Sequence, residues 1–122
     1  MSIVMLKFSD RTQKDLQAYS GKNMDYHITL VSSTLSLPAQ VIDIAPLNVC
    51  PSRVTTIEND DKTQSYPCLD IETNPIIRKL RNYYIREVGL KPIYKHFRPH
   101  VSLSYKNRKP LRQGNHIGIH TP

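Results

Sequence analysis

The sequence predicts an α+β fold in which short antiparallel strands are flanked by two helices. Two segments alternate polar and apolar residues with the period of a strand, around His27 and around His100. A third segment, after Asn74-Pro75, spaces its apolar residues at three and four positions, which is typical of an amphipathic helix. Since short strands separated by turn residues are interspersed with only two helical segments, an antiparallel arrangement is the economical one.

The first half of the chain is expected to contain two strands and one helix. Residues 2–8 form a short apolar run that suits a buried strand, and residues 9–11 are expected to form a turn. Thr12 to Asp15 resembles a capping box, so a short helix should begin there and end at Gly21. The first histidine strand should span about 25–33, followed by a loop that contains a proline.

The second half is expected to contribute an antiparallel meander, a helix and two more strands. β-branched residues predict the strands 41–45, 53–58 and 66–71. The helix should run from about 74 to 88, with a capping residue before its proline and Gly89 after its end. The second histidine strand follows, and one further short strand is expected around 116–120.

Length and charge limit the classes of function. The 122 residues fit a single domain, 1–122, which is large enough for one small enzyme or binding module. The formal net charge of +7 favours an anionic partner. Nucleic acid, nucleotide or phosphate is favoured over a membrane, because no long apolar or amphipathic basic segment occurs. Basic composition alone fits equally well a soluble protein without such a partner.

Cysteine and histidine spacing predicts no disulfide framework and no metal site. Cys50 and Cys68 form no CxxC pair, so we expect two idle thiols, although a disulfide between them is possible. The five histidines, which include His96, His116 and His120, show no metal-ligand spacing, and we expect chemistry without metal or cofactor. The N-terminus lacks the features of a signal peptide, so a cytoplasmic location is the default expectation.

The two histidine strands carry the chemistry that the sequence predicts. His27 shares a strand face with Thr29, and His100 shares one with Ser102. Imidazole can remove or donate a proton near neutral pH, and a hydroxyl two residues further on can hold a phosphate oxygen. A single motif of this kind is most often structural. Two copies, each in an apolar strand and each followed by leucine, favour a phosphodiester-cleaving site.

The segments His27-Ile28-Thr29-Leu30 and Pro99-His100-Val101-Ser102-Leu103 resemble the paired motifs of the 2H phosphoesterase superfamily. The resemblance implies a bilobal fold, in which two antiparallel sheets form a central cleft with one motif on each side. It implies that His27 and His100 act as acid and base, and that Thr29 and Ser102 hold phosphate. The chain departs from longer members by its short segment between the first motif and residue 41, and by serine at 102.

Compact members of that family include bacteriophage enzymes that degrade the cyclic oligonucleotide signals of CBASS, a bacterial anti-phage immunity. Three tyrosines near the motifs, Tyr26, Tyr94 and Tyr105, are candidates for stacking on bases, with burial in the core as the alternative. Lys95 and Arg98, beside the second motif, are candidates for contacting phosphate. The basic face of the second helix is more simply a solvated surface.

These observations predict a metal-independent phosphodiesterase that cleaves 3′-5′ bonds of cyclic oligonucleotide second messengers, in the host cytoplasm if the protein is viral. No obligate protein partner is expected. One alternative is hydrolysis of 2′,3′-cyclic phosphates on RNA ends or small nucleotides. Another is a non-catalytic module that binds RNA or nucleotides. The sequence does not decide which histidine is the base.

Overall fold

A computed structural model of the protein describes residues 2–38, 47–58, 65–94, 96–103 and 119–121. The described part contains two α-helices and seven β-strands. In chain order they are β1 (Ser2–Lys7), α1 (Asp10–Ser20), β2 (His27–Ser33), β3 (Leu47–Val49), β4 (Pro51–Glu58), β5 (Ser65–Ile71), α2 (Pro75–Arg86), β6 (His100–Ser102) and β7 (Ile119–Thr121). The predicted α+β class is therefore confirmed.

One five-stranded antiparallel sheet contains both histidine motifs. Its strand order is β1-β2-β6-β5-β4, and β3 and β7 form a separate antiparallel pair. The strand that carries His100 thus pairs directly with the strand that carries His27. The expected bilobal arrangement, with one motif on each side of a cleft between two sheets, is not confirmed, because both motifs lie in the same sheet. Within the predicted meander, the strands 53–58 and 66–71 are adjacent and antiparallel as expected, and β6 pairs with the other edge of β5.

A row of apolar side chains across this sheet explains why β6 occupies the central position. Cross-strand pairing aligns one residue from each strand: Leu6, Ile28, Val101, Leu69 and Val54. All of these are at most 8% exposed and belong to one hydrophobic core. Because successive residues of a strand point to opposite faces, the neighbours of this row must lie on the opposite face of the sheet.

The first helix begins earlier than the sequence suggested. Ser9 is its N-cap, and the Ser9 hydroxyl accepts a hydrogen bond from the Thr12 amide at 3.4 Å. The predicted turn at 9–11 and the predicted start at Thr12 are therefore wrong. Thr12 is instead a buried residue of the first helical turn, and the helix does end at Gly21, whose φ of 71° is left-handed.

The second helix agrees with its sequence signals. The Asn74 side chain accepts a hydrogen bond from the Ile77 amide at 2.9 Å, and proline occupies the first turn, where its missing N–H costs nothing. The helix ends at Arg86, slightly before the predicted end, and Gly89 follows with a φ of 87°. Its buried residue, Ile77, packs into the core beside the sheet.

The remaining strand predictions are mostly confirmed. The β4–β5 hairpin covers the predicted strands 53–58 and 66–71, and β7 overlaps the predicted tail strand. The short strand β3 was not predicted. The predicted strand 41–45 lies outside the described residues. Within the described ranges, no helix combines the length and apolar character needed to cross a bilayer.

Candidate functional site

The register between β2 and β6 brings the two histidine motifs together on one face. Ile28 is paired with Val101. If this antiparallel register is continued by one residue in each direction, His27 lies opposite Ser102 and Thr29 lies opposite His100. Since Ile28 and Val101 are both fully buried, the four polar residues of the motifs share the opposite face.

The four side chains form a parallelogram with the histidines at one pair of opposite corners. Side chains directly opposite in an antiparallel pair have Cβ atoms about 5 Å apart, and diagonal neighbours are about 7–8 Å apart. Each imidazole therefore has the hydroxyl of the other motif beside it. A group the size of a phosphate placed at the centre would have an imidazole on two opposite sides and hydroxyls on the other two.

Both imidazoles are held in the same way by the backbone just upstream. Nδ1 of His27 lies 3.3 Å from the carbonyl oxygen of Asp25, and Nδ1 of His100 lies 2.7 Å from that of Arg98. A carbonyl oxygen only accepts, so Nδ1 must be the protonated nitrogen in each neutral ring. The lone pair is consequently on Nε2 of both rings, where it can accept a proton.

Burial lowers the pKa of His100 from its ordinary value of 6.5. Desolvation is the largest cause, because the charged ring loses water. The hydrogen bond to the Arg98 carbonyl and the charge of Asp70 act in the opposite direction, whereas the charges of Arg98 and His27 lower the pKa further. The net effect favours a neutral His100 near pH 7, which is the form that can act as a base.

The backbone beneath His27 is fixed by a side chain of α1. Gln13 makes two hydrogen bonds to Tyr26, accepting from its amide at 2.8 Å and donating to its carbonyl at 2.7 Å. The same Gln13 amide group also donates to the Asp25 carboxylate at 3.1 Å, and Lys7 pairs with that carboxylate at 3.2 Å. The Asp25 carbonyl, which holds the His27 ring, therefore belongs to a backbone segment that is fixed by several side-chain contacts.

A buried carboxylate lies next to His100 on the neighbouring strand. Asp70 is paired with His100 across β5 and β6, and it is 8% exposed. Arg98 contacts Asp70 through two nitrogens, each at 3.0 Å, and Arg53 donates from Nε at 3.1 Å. Burial by itself would raise the pKa of Asp70, but hydrogen bonds from Arg98 and Arg53, together with their charges, outweigh burial and lower it.

Cys68 lies on the same face of the sheet as the histidines, beside Ser102. The two residues are paired across β5 and β6, and the Cys68 side chain is fully buried. Burial, followed by the negative charge of Asp70, raises the pKa of the Cys68 thiol to about 11. Cys68 is thus a neutral thiol near pH 7, and both Cys68 and the exposed Cys50 are free.

The predicted substrate-binding residues have different outcomes. The prediction that Tyr26 stacks on a base is wrong, because Tyr26 is 1% exposed and its hydroxyl is bonded to Ser20 and to the Lys22 carbonyl. Tyr94 is 52% exposed and follows Pro92, which bridges to the Ser33 end of β2. Arg98 is beside the site, but its guanidinium is bonded to Asp70.

The other residues singled out in the sequence are exposed, lie outside the described residues, or belong to the second sheet. Lys95 and Tyr105 lie outside the described residues, as does His116. His96 is exposed in the loop before β6, as expected of a surface residue. The backbone of His120 pairs with Asn48 in the two-stranded sheet, away from the five-stranded sheet in which both motifs lie.

Sequence reasoning missed the contribution of β4 and β5. Asp70, Cys68 and Arg53 were each within predicted strands but received no role. The alternation of Pro67, Leu69 and Ile71 with polar residues was a usable signal, because it marks one face of β5 as buried. It could not show that β5 would lie next to the second histidine strand, which depends on strand order.

Comparison with known proteins adds no family assignment: no family model matches the chain, and a search of curated proteins found no significant match. Among the described residues, no group of three or more His, Cys, Asp or Glu side chains is arranged to hold a metal ion.

Proposed function

We propose that the protein is a phosphodiesterase of the 2H type that uses His27 and His100 as a general acid–base pair. The observation that carries the proposal is the diagonal arrangement of the two imidazoles, each beside the hydroxyl of the other motif. In-line displacement at phosphorus needs proton transfer at the attacking oxygen and, on the opposite side, at the leaving oxygen. The proposal requires only this one face of one sheet and does not depend on a bilobal cleft.

The lowered pKa of His100 assigns it the role of base in the first step. Nε2 of His100 accepts the proton of a ribose 2′-hydroxyl, and the 2′-oxygen attacks the adjacent phosphorus. The bond from phosphorus to the 5′-oxygen breaks, and the 5′-oxygen receives a proton from Nε2 of His27, which enters this step as the imidazolium and leaves it neutral. The products are a 2′,3′-cyclic phosphate and a 5′-hydroxyl. Thr29 and Ser102 donate hydrogen bonds to the non-bridging oxygens, where negative charge increases.

The substrate class that we propose is a cyclic oligonucleotide with 3′-5′ linkages. Net positive charge and the cations beside the site, Lys7, Arg53 and Arg98, support a substrate with several phosphates. The same groups, with their acid and base roles reversed, could open a 2′,3′-cyclic phosphate with water. RNA ends with that phosphate are therefore the second candidate substrate.

The first experiment measures turnover of cyclic di- and trinucleotides and of an RNA with a 2′,3′-cyclic phosphate, in EDTA, with products resolved by mass. His27→Ala and His100→Ala should each lose about 10²–10⁴-fold in kcat, because each removes one proton-transfer group. The exposed His96→Ala is the matched control and should keep its activity. Near-full activity in either motif variant would refute the pairing.

A 2′-deoxy version of the best substrate tests the nucleophile. It lacks the 2′-hydroxyl, so it should not be cleaved by the proposed route. Cleavage at a comparable rate would rule out the transesterification step. If the wild-type protein binds these nucleotides but turns over none of them, the non-catalytic binding module becomes the better interpretation.

A further inference from the structure

We propose that Arg53, held in place by Asp70, binds a second phosphate of the substrate, so that the site selects nucleotides with at least two phosphates over those with one. The inference rests on the proposed function for the position of the first phosphate, between His27 and His100. Arg53, Asp70 and Arg98 are called the arginine cluster below.

The register across the five strands places Asp70 and Arg53 of the arginine cluster on the histidine face. Met5, Thr29, His100, Asp70 and Arg53 form one row across the sheet, when the register between β2 and β6 is continued by one residue. Adjacent strands are about 4.8 Å apart, so the Arg53 backbone lies roughly 10 Å from that of His100. A phosphate bound between the histidines, midway between β2 and β6, is therefore separated from the Arg53 backbone by both β6 and β5, roughly 12 Å in all, which leaves space for a second anionic group.

The charges of the arginine cluster do not cancel. Asp70 supplies one negative charge, and its two oxygens already accept both bonds from Arg98. Arg53 adds a third bond and a second positive charge, so the cluster carries a net charge of +1. The Asp70 carboxylate does not need this second arginine as a partner, because the guanidinium of Arg98 already donates one hydrogen bond to each of its oxygens.

Among the described residues, Arg53 is also the cation with the most binding capacity on this face. Its contact to Asp70 uses Nε, while a guanidinium has five N–H donors in all. Its side chain is 64% exposed, compared with 48% for Arg98. Lys7, on the other side of the histidines, is paired with its own carboxylate, Asp25. Asp70 therefore orients the Arg53 fork while leaving its terminal nitrogens to face a ligand.

This arrangement discriminates between the candidate substrates. A nucleoside 2′,3′-cyclic monophosphate has one phosphate, which would occupy the histidine pair and leave Arg53 without a ligand. A cyclic dinucleotide has a second phosphate that can reach Arg53. The expected signature is a contribution of Arg53 to binding that appears only with the second class of substrate.

The experiment compares kcat/KM for 3′,3′-cyclic diadenosine monophosphate and for adenosine 2′,3′-cyclic monophosphate in the wild type, Arg53→Gln and Arg78→Gln. Arg53→Gln should raise KM about tenfold for the cyclic dinucleotide, because a charge-assisted hydrogen bond to phosphate is lost, and should leave the monophosphate unchanged. Arg78, an exposed arginine of α2, is the matched control for loss of one charge. Arg53→Lys should recover part of the effect.

Calorimetry supplies a measurement that does not depend on turnover. The probes are the linear dinucleotide pApA and the mononucleotide AMP, titrated at several salt concentrations. Arg53→Gln should weaken pApA binding. It should also reduce the slope of log K against log salt concentration by the equivalent of about one phosphate contact, and AMP binding should be unaffected. Thermal unfolding checks that the variant remains folded, and Arg53→Met, which also removes the charge, replaces it if it does not.

The outcomes separate this inference from the proposed function. If the wild type turns over both substrates and Arg53→Gln affects them equally or not at all, the second-phosphate site is refuted while the two-histidine mechanism stands. If the wild type turns over neither, the proposed function fails, and calorimetry decides the inference. Selective weakening of pApA binding then supports the second-phosphate site, and unchanged binding refutes it.

Discussion

At the scale of single residues, the chemistry of His100 depends on groups that are far from it in sequence. Its ring is held by the Arg98 carbonyl two residues upstream, but its pKa is set mainly by burial in the sheet. Asp70 contributes an opposing charge from the neighbouring strand. The sequence could therefore suggest His100 as a candidate proton-transfer group, but it could not suggest whether the ring would accept or donate the proton.

We predict that the acidic limb of the pH profile of kcat/KM has its midpoint below pH 6.5. The base must be neutral, and the lowered pKa of His100 keeps it neutral at lower pH. The same shift means that His100 contributes stability that is present above its unfolded pKa and lost as the pH falls through the lowered folded value. A proton NMR titration of the His100 ring measures the pKa directly.

The His27→Ala variant is the control for this titration. Removing the charge of His27 should move the pKa of His100 upward, because that charge is among the causes that lower it. A wild-type midpoint at or above 6.5, or no response in the variant, would contradict the assignment of His100 as the base.

At the scale of elements, helix α1 packs against the core and also fixes the backbone that leads into β2. The Gln13 side chain hydrogen-bonds both backbone groups of Tyr26, as a neighbouring strand would. It accepts from the Tyr26 amide and donates to the Tyr26 carbonyl, just before β2 begins. The carbonyl of Asp25, one residue earlier, holds the His27 ring. We therefore interpret Gln13 as a positioning residue that acts through the backbone rather than by touching substrate.

Gln13→Ala is expected to destabilise the protein by about 2 kcal/mol, because two backbone hydrogen bonds of about 1 kcal/mol each are lost. It should also lower kcat more than it raises KM, since the His27 ring loses its fixed orientation. Nitrogen-15 NMR of the His27 ring reports the tautomer, and a mixture of tautomers is expected in the variant.

Gln17→Ala is the matched control, because Gln17 makes a single bond of 3.3 Å to the Met24 carbonyl. It should cost less stability and leave the His27 tautomer unchanged. If Gln13→Ala reduced stability but left kcat and the tautomer as in the wild type, Gln13 would be structural only.

At the scale of the whole molecule, the candidate site exists because β6 is inserted between β2 and β5. Val101 is paired with Ile28 on one side and with Leu69 on the other, and all three are at most 1% exposed. The burial of this apolar row holds the strands in register, and the register places His100 against Thr29 on the opposite face. Stability and site geometry are therefore linked through the same short strand.

Val101→Ala should reduce the free energy of unfolding by about 2 kcal/mol, because a fully buried side chain is truncated at the centre of the sheet. Val88→Ala, at a position 38% exposed after α2, should cost much less. Denaturant unfolding measures both. Equal effects of the two variants would mean that β6 is not packed as described.

The sequence alone determined the features that depend on local chemistry. Strand alternation gave the two histidine faces, the Asn74-Pro75 signal gave the start of α2, and Gly21 marked the end of α1. It misjudged the start of α1, because two capping signals, at Ser9 and at Thr12, competed within three residues. Burial of Thr12 favoured the earlier one.

The tertiary structure alone decided which strands are neighbours, and with them the composition of the site. Tyr26 was a reasonable stacking candidate by its position, but its side chain faces the core. Asp70 and Arg53 had no local signal of function, yet strand order aligns them with His100. The physical reason is that alternation fixes which face a side chain occupies, whereas strand order and register are fixed by the burial of apolar rows between segments distant in sequence.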